Sequence, residues 1–327
     1  MNKSIFIAFL LSITSSAYCQ ISFGVVEITS YGDSQSVYFV PDEQLMSEKC
    51  DLLAQPNFWK KVMKLSPDSC IINIAETREI LQFNSFIDWQ AQTEQEKDSV
   101  RMAIRMAHGL DSSERIFVTS GKNHFYQVEK VIPSLSKGIE IFEREGLNPW
   151  YAQSILLIES PGKIAYSNVG AFGPFQLMKS VARTYGLTVN KSVDERKDFE
   201  KSAVAASQLI SKSCIPNAKF ILDRNNIEYN ENDLWFKLFV LHIYHAGAGN
   251  VGGLIDYLKP EFGGIELIKL MWQSEFGGFK NASQNYSQVA LASNLILEEL
   301  LYSRCSSIYV CPPYPEESNE TISHVQD

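Results

Sequence analysis

Glu159 follows the run Ile155-Leu156-Leu157-Ile158, and that placement gives it chemistry. Apolar neighbours strip water from a carboxylate and raise its pKa. The run reads as a helix, so Glu159 also meets the negative end of the helix dipole, which opposes ionisation again. A carboxylic acid that keeps its proton near neutral pH is a general acid, of the kind that protonates a glycosidic oxygen. Taken alone, the residue equally suits a solvent-facing acid at a helix end. Three further clusters accompany it. Ser167 to Met178 sets Gly170 and Gly173 beside aromatics and one amide, Gln176, which both donates and accepts hydrogen bonds. Its glycines allow a backbone to approach a bulky ligand, yet they fit no phosphate-binding pattern. Tyr244 to Val251 again joins an aromatic to glycines, and Asn285-Tyr286-Ser287-Gln288 is the fourth cluster.

Other chemistries find less support. His242 and His245 are three apart on a helix and could face one metal, but no H-E-x-x-H and no third ligand lies nearby, so no metal and no cofactor is expected. The G-x-S-x-G elbow of a serine hydrolase is missing.

The elements that must position these residues are mostly helices. Val128, Ile132, Leu135, Ile139 and Phe142 recur three or four apart, one face of an amphipathic helix that Gly146 ends. Asn148 and Pro149 supply an N-cap and a first-turn proline for a helix over 150–159, stopped by Ser160-Pro161-Gly162. Further helices are expected near 181–185, 203–211, 234–244 (capped by Asn232 or Asp233) and 285–301. Before residue 127 the pattern is less legible. It offers a strand at 36–40, a helix near 58–63, and helical spacing over 70–110 with a solvated, mixed-charge face along 94–105. After Tyr302 the prolines and acids have no period and read as a tail.

Chain-wide properties narrow the field. With 327 residues, 45% apolar and 20% charged, the chain can bury a large core, which excludes disorder, collagen and coiled coil. The net charge of −9 argues against binding nucleic acid by bulk charge. Lys3, the apolar stretch 5–13 and Ser15-Ser16-Ala17 form a signal peptide with a cut expected after Cys19. The alternative, a lipoprotein acylated at Cys19, asks for an aliphatic residue three places earlier and a small one just before; those places hold Ser16 and Tyr18. No later run reaches the roughly 18 apolar residues of a membrane helix. An exported, soluble protein is expected. Losing Lys3 and no acid takes its charge to −10, and five cysteines remain. Cys305 could close a small loop with Cys311, and Cys50 could pair with Cys70.

Taken together, the clusters resemble a known family. Glu159-Ser160, then Gly170 to Met178 as G-x-x-G-x-x-Q-x-M, then Tyr244 to Val251 as Y-x-A-G-x-G-x-V, then a helix opening with Tyr286, resemble the lytic transglycosylase catalytic domain, whose fold goose-type lysozymes share. Asp194-Glu195-Arg196, Asp198, Ser202 and Ala205-Ala206 resemble a stretch of its membrane-bound D-type branch. The resemblance runs from about residue 147 to 300. Three places depart from it: His245 replaces the usual Asn, Lys179 the usual Pro, and Ala282-Ser283-Gln284 the usual Glu-Thr-Arg.

The resemblance implies a mainly α fold, with a lysozyme-like catalytic domain over 127–302. A mostly helical N-terminal region over 20–126 precedes it, after a leader at 1–19, and a tail at 303–327 follows. It implies peptidoglycan glycan strands as partner, Glu159 as acid and then base, and Ser160, Gly170, Gln176, Met178, Tyr244 and Tyr286 as substrate-binding residues. Phe172, Phe175 and Trp272 would either stack on sugars or lie in the core. Two alternatives stay open: a water-using lysozyme drawing on Asp194 or Asp198, and a wall-binding protein without catalysis.

Overall fold

The computed structural model describes residues 23–29, 36–159, 166–167 and 169–308, with side chains as far as Leu301. The expected leader, Ser160, the Cys305 side chain and Cys311 lie outside these described residues.

In chain order the elements are β1 (Val26–Thr29), β2 (Ser36–Phe39), α1 (Gln44–Ser47), α2 (Ala54–Lys64), β3 (Ser69–Ile74), β4 (Ile80–Ser85), α3 (Phe86–Ala91), α4 (Glu94–His108) and β5 (Ile116–Ser120). The helical part follows as α5 (Val128–Arg144), α6 (Trp150–Glu159), α7 (Lys179–Thr184), α8 (Phe199–Leu209), α9 (Ile215–Arg224), α10 (Leu234–Ala246), α11 (Ala248–Leu258), α12 (Ile265–Gln273) and α13 (Asn281–Ile308). The fold is mainly α.

Helix α6 is the axle of the molecule. Asn148 Oδ1 accepts the Trp150 N–H at 3.0 Å, the expected cap. Every residue from Trp150 to Ile158 is buried. A helix buried on all sides needs neighbours on all sides; α5 and α13 pack directly against it. Two polar side chains on α6 are therefore in the core and must find partners. Gln153 accepts the Val40 N–H at 2.8 Å and donates to Val40 O and Asn294 Oδ1, both at 2.9 Å. Asn294 Nδ2 in turn donates to Ser154 Oγ at 3.0 Å. These bonds tie the segment after β2, α6 and α13 together at the centre of the core.

Helix α10 is buried in the same way from Leu234 to Ile243. Asp233 occupies its N-cap, as the sequence suggests, but its carboxylate takes the Trp235 Nε1–H at 3.2 Å. The capping bond comes instead from the N-terminal region, where Gln44 Oε1 accepts the Leu234 N–H at 2.5 Å. Lys237, also on α10, is buried against Asp42 (Nζ to Oδ2 2.5 Å) and lies 5.0 Å over the Trp150 ring.

Part of the 70–110 reading is overturned. Residues 69–85 form an antiparallel hairpin, and β3 sits between β4 and β5. The strand SCIINI is buried on both faces after its first residue, so its apolar residues run on without the alternation that marks a half-exposed strand. Ile71 faces the main core, whereas Cys70 and Ile72 pack with Trp89, Ile104 and Ile116 beneath α3 and α4. The mixed-charge stretch is α4, exposed apart from a few residues and started by a Thr93–Glu96 capping box. Cys50 lies in the main core and Cys70 in the smaller one; both are free thiols, so the pairing considered for them does not form. At the other end α13 continues as helix to Ile308.

Removing the cation from the buried Lys237–Asp42 pair leaves a charge with no partner, a change that costs about 3–5 kcal/mol. Lys237→Met is expected to lower unfolding free energy in guanidinium titrations by that amount, and adding Asp42→Leu should restore much of it.

Candidate active site

The end of α6 opens into a cleft of about 410 Å³. Glu159, the last residue of α6, lies half-buried in its wall among Ile158, Tyr126, Leu209 and Tyr286. The Tyr286 hydroxyl donates to Glu159 Oε1 at 2.8 Å. Burial pushes the Glu159 carboxyl up to about 7, with the Tyr286 hydrogen bond pulling weakly the other way. Helix α10 brings Tyr244 and His245 to the same cleft. The His245 ring stacks on Tyr286 with centroids 4.5 Å apart. The Tyr244 hydroxyl donates to Phe175 O at 2.5 Å and so fastens the end of α10 to the 167–178 loop. Burial first, and the Glu159 charge second, hold the phenols of Tyr244 and Tyr286 well above the usual tyrosine range. Both rings stay neutral near pH 7.

The loop that carries Gln176 is shaped by a residue outside it. Arg196 is buried, and its Nη1 donates to the carbonyls of Gly170 and Leu177, each at 2.9 Å. Its other edge grips Asp194 in a fork, Nε to Oδ1 at 2.9 Å and Nη2 to Oδ2 at 2.7 Å. The clamp draws backbone against backbone. A Cβ on Gly173 would stand 1.9 Å from Arg196 O, and φ there is +88°, so only glycine fits. Gln176 lines the cleft from this loop, with φ +44° and Nε2 donating to Gly173 O at 3.0 Å. Met178 stands exposed at the rim. Gly170 serves the clamp through its carbonyl and does not line the cleft.

Both acids offered for a water-using reaction are committed elsewhere. Hydrogen bonds from Arg196 hold the Asp194 carboxyl below the usual carboxylate range, and Asp198 caps α8 by accepting the Lys201 N–H at 3.0 Å. Among the described residues that line the cleft, Glu159 is the only acid. Phe175 is buried against Phe142, and Trp272 is buried with its Nε1 donating to Ser287 Oγ at 2.7 Å. Phe172 stacks on Tyr166 at 4.0 Å, beneath the Arg196 guanidinium. None of the three lines the cleft. His242 faces the core, its Nε2 2.8 Å from Ser287 Oγ, and burial pushes it down to about 3, so it shares no pocket with His245.

Several cleft residues had no signal in the sequence. Trp59, Phe125, Tyr126 and Leu209 all reach it, the first three from the region before α5. No spacing along the chain joins Trp59 to Glu159.

Residues 139–259 match a family model described as Transglycosylase SLT domain. The chain carries a transglycosylase SLT domain. Its type is peptidoglycan-acting, of the lytic transglycosylase kind. No curated protein matches the chain. The matched part of the SLT domain includes Glu159, Gly170, Gln176, Met178 and Tyr244, while Tyr286 reaches the cleft from beyond it on α13.

The raised Glu159 pKa makes the stability of this domain depend on pH. Between about 4.5 and about 7 the folded protein keeps a proton that the unfolded chain has lost, so stability falls as pH rises through that window. Glu159→Gln removes this dependence and is nearly isosteric. The melting temperature of the variant relative to the natural protein is expected to rise between about pH 5 and about pH 8, as followed by circular dichroism.

Proposed function

We propose that the protein is an exported lytic transglycosylase that cleaves the β-1,4 bond between N-acetylmuramic acid and N-acetylglucosamine in peptidoglycan, with Glu159 as its only catalytic acid. What carries the reading is the solitary carboxyl, pushed up to about 7 and held by Tyr286 at 2.8 Å, in a cleft of the SLT domain whose other described walls are amides, hydroxyls, apolar groups and the His245 imidazole, which burial keeps below the usual histidine range.

Glu159 protonates the glycosidic oxygen, and the bond from that oxygen to C1 of the muramic residue breaks. The substrate's own N-acetyl oxygen stabilises the positive charge at C1. The Glu159 carboxylate then takes the proton of the muramic C6 hydroxyl as O6 bonds to C1. The proton lent in the first step is recovered in the second, no water is consumed, and the product carries a 1,6-anhydro ring. An inverting or retaining glycosidase needs a second carboxylate to activate water or attack the sugar. Here the C6 hydroxyl, already part of the bound sugar, replaces it by proximity.

Gln176 and Tyr244 hold the N-acetyl group and the ring, Met178 borders the cleft, Ser160 supports the substrate as the resemblance implies, and Gly170 acts by shaping the loop through its carbonyl. Tyr286 orients Glu159 and, by donating to its ionised form, keeps the carboxyl from rising further. Among the described residues no helix is long and apolar enough to cross a membrane. A chain at −9 before leader removal gains no attraction to an anionic wall, which suits controlled remodelling of the cell's own envelope better than fast lysis of another.

Mass analysis of digests from purified sacculi tests the reaction. Anhydromuramyl products, lighter by one water than lysozyme products, are expected; reducing-end muramic acid alone would establish a hydrolase instead. Glu159→Gln should lose activity by about 10²–10⁴ or more while remaining folded. Activity of the natural protein should fall above about pH 7 as the acid ionises. Tyr286→Phe removes the donor that favours the carboxylate, so its falling limb should move to higher pH.

A further inference from the structure

The segment matched to the SLT family leaves one wall of the cleft to the N-terminal region. Trp59 on α2, and Phe125 and Tyr126 in the turn after β5, line the same cleft as Glu159. All three stand on firm supports. Helix α2 packs along α13, and Trp59 Nε1 donates to Gln288 Oε1 at 3.1 Å, which fixes the indole plane and occupies its one polar atom. The turn is bound to the end of α2: the Lys122 N–H donates to Val62 O at 2.8 Å and the Asn123 N–H to Leu65 O at 3.1 Å. The approach is so close that a Cβ on Gly121 would stand 2.1 Å from Ser66 O. The rings of Phe125 and Tyr126 meet edge to face, 4.9 Å apart at 89°. The charge of Glu159 adds to burial in raising the Tyr126 phenol, so that ring stands within electrostatic reach of the acid.

A rigid corner of three aromatic rings, with no charged side chain of its own, suits a ligand with a flat apolar face. In the same cleft Ser167, Gln176 and Asn285 bring polar side chains that suit the polar edge of such a ligand. A β-1,4-linked pyranose combines these features, because its equatorial substituents leave C–H groups on both faces of the ring. We infer that Trp59, Phe125 and Tyr126 form a saccharide-binding wall that seats a sugar ring of the glycan beside the bond Glu159 acts on. The N-terminal region is then a part of the substrate site that helps set its specificity. This inference rests on the glycan reading of the cleft.

The test uses the full chain carrying Glu159→Gln, which prevents turnover, and glycan strands released from peptidoglycan by an amidase. Trp59 is buried in the main core like the other tryptophans, yet among the described residues it is the only one of the five with an edge on the cleft. Strand binding is expected to change tryptophan fluorescence, and Trp59→Phe should abolish that change while the other four indoles remain. Phe125→Ala should weaken binding by about tenfold in calorimetry, with Phe125→Trp restoring it. Circular dichroism checks the fold of both variants, and the Trp59 readout decides if Phe125→Ala is unstable, since phenylalanine keeps an aromatic ring at 59 and gives up only the bond to Gln288. Unchanged affinity in Phe125→Ala together with an intact fluorescence change in Trp59→Phe overturns the wall alone. Failure of the Glu159→Gln chain to bind strands, with no digestion of sacculi by the natural protein, overturns the glycan reading and the wall with it.

Discussion

A helix buried on every face has to deliver one carboxyl to solvent, and much of the structure follows from that constraint. From Trp150 to Ile158 no side of α6 meets water, so the chain must sheath it, and the sheath comes from both halves of the sequence. Gln153 and Ser154 make the demand stricter. A buried amide left unpaired costs about 1–3 kcal/mol, and here its partners come from Val40 in one direction and Asn294 in the other. These bonds set the position of α6 against α13. That position in turn brings Glu159 and Tyr286 to 2.8 Å.

The electrostatics of the cleft follow from the same burial. Desolvation raises Glu159, and among the described residues that line the cleft no lysine or arginine opposes it. The acids that could have complicated the site are occupied: Asp194 grips Arg196, and Asp198 caps a helix. Arg196 is a positioning residue, remote from the cleft surface yet bonded to two carbonyls of the loop that presents Gln176. The acid of the site and the shape of its loop are therefore controlled by separate devices.

The N-terminal region belongs to this arrangement physically. Asp42 meets Lys237, Gln44 caps α10, and α2 lies along α13. Elements that carry Tyr244 and Tyr286 are thus held in place by residues two hundred positions away, and the same region brings three aromatic rings to the cleft.

Local order in the sequence determined a good deal by itself. The 3.6-residue period of α5, the Asn148 cap and the apolar run 155–158 of α6 are written in local stretches of chain, as is the desolvated setting of Glu159. The glycines of the 167–178 loop and the aromatics at 244 and 286 marked the remaining candidates, because each lies within a compact cluster. What tertiary structure alone decided depends on pairings between distant segments. The β3–β4 hairpin was hidden because a strand buried on both faces loses its alternation. Gln44 displaced the local capping side chain because it reaches α10 through space. Trp59, Phe125 and Tyr126 joined the cleft only once α2 had packed on α13. Periodicity and capping act over a few residues, whereas a cleft is bounded by whatever the folded core brings to its edge.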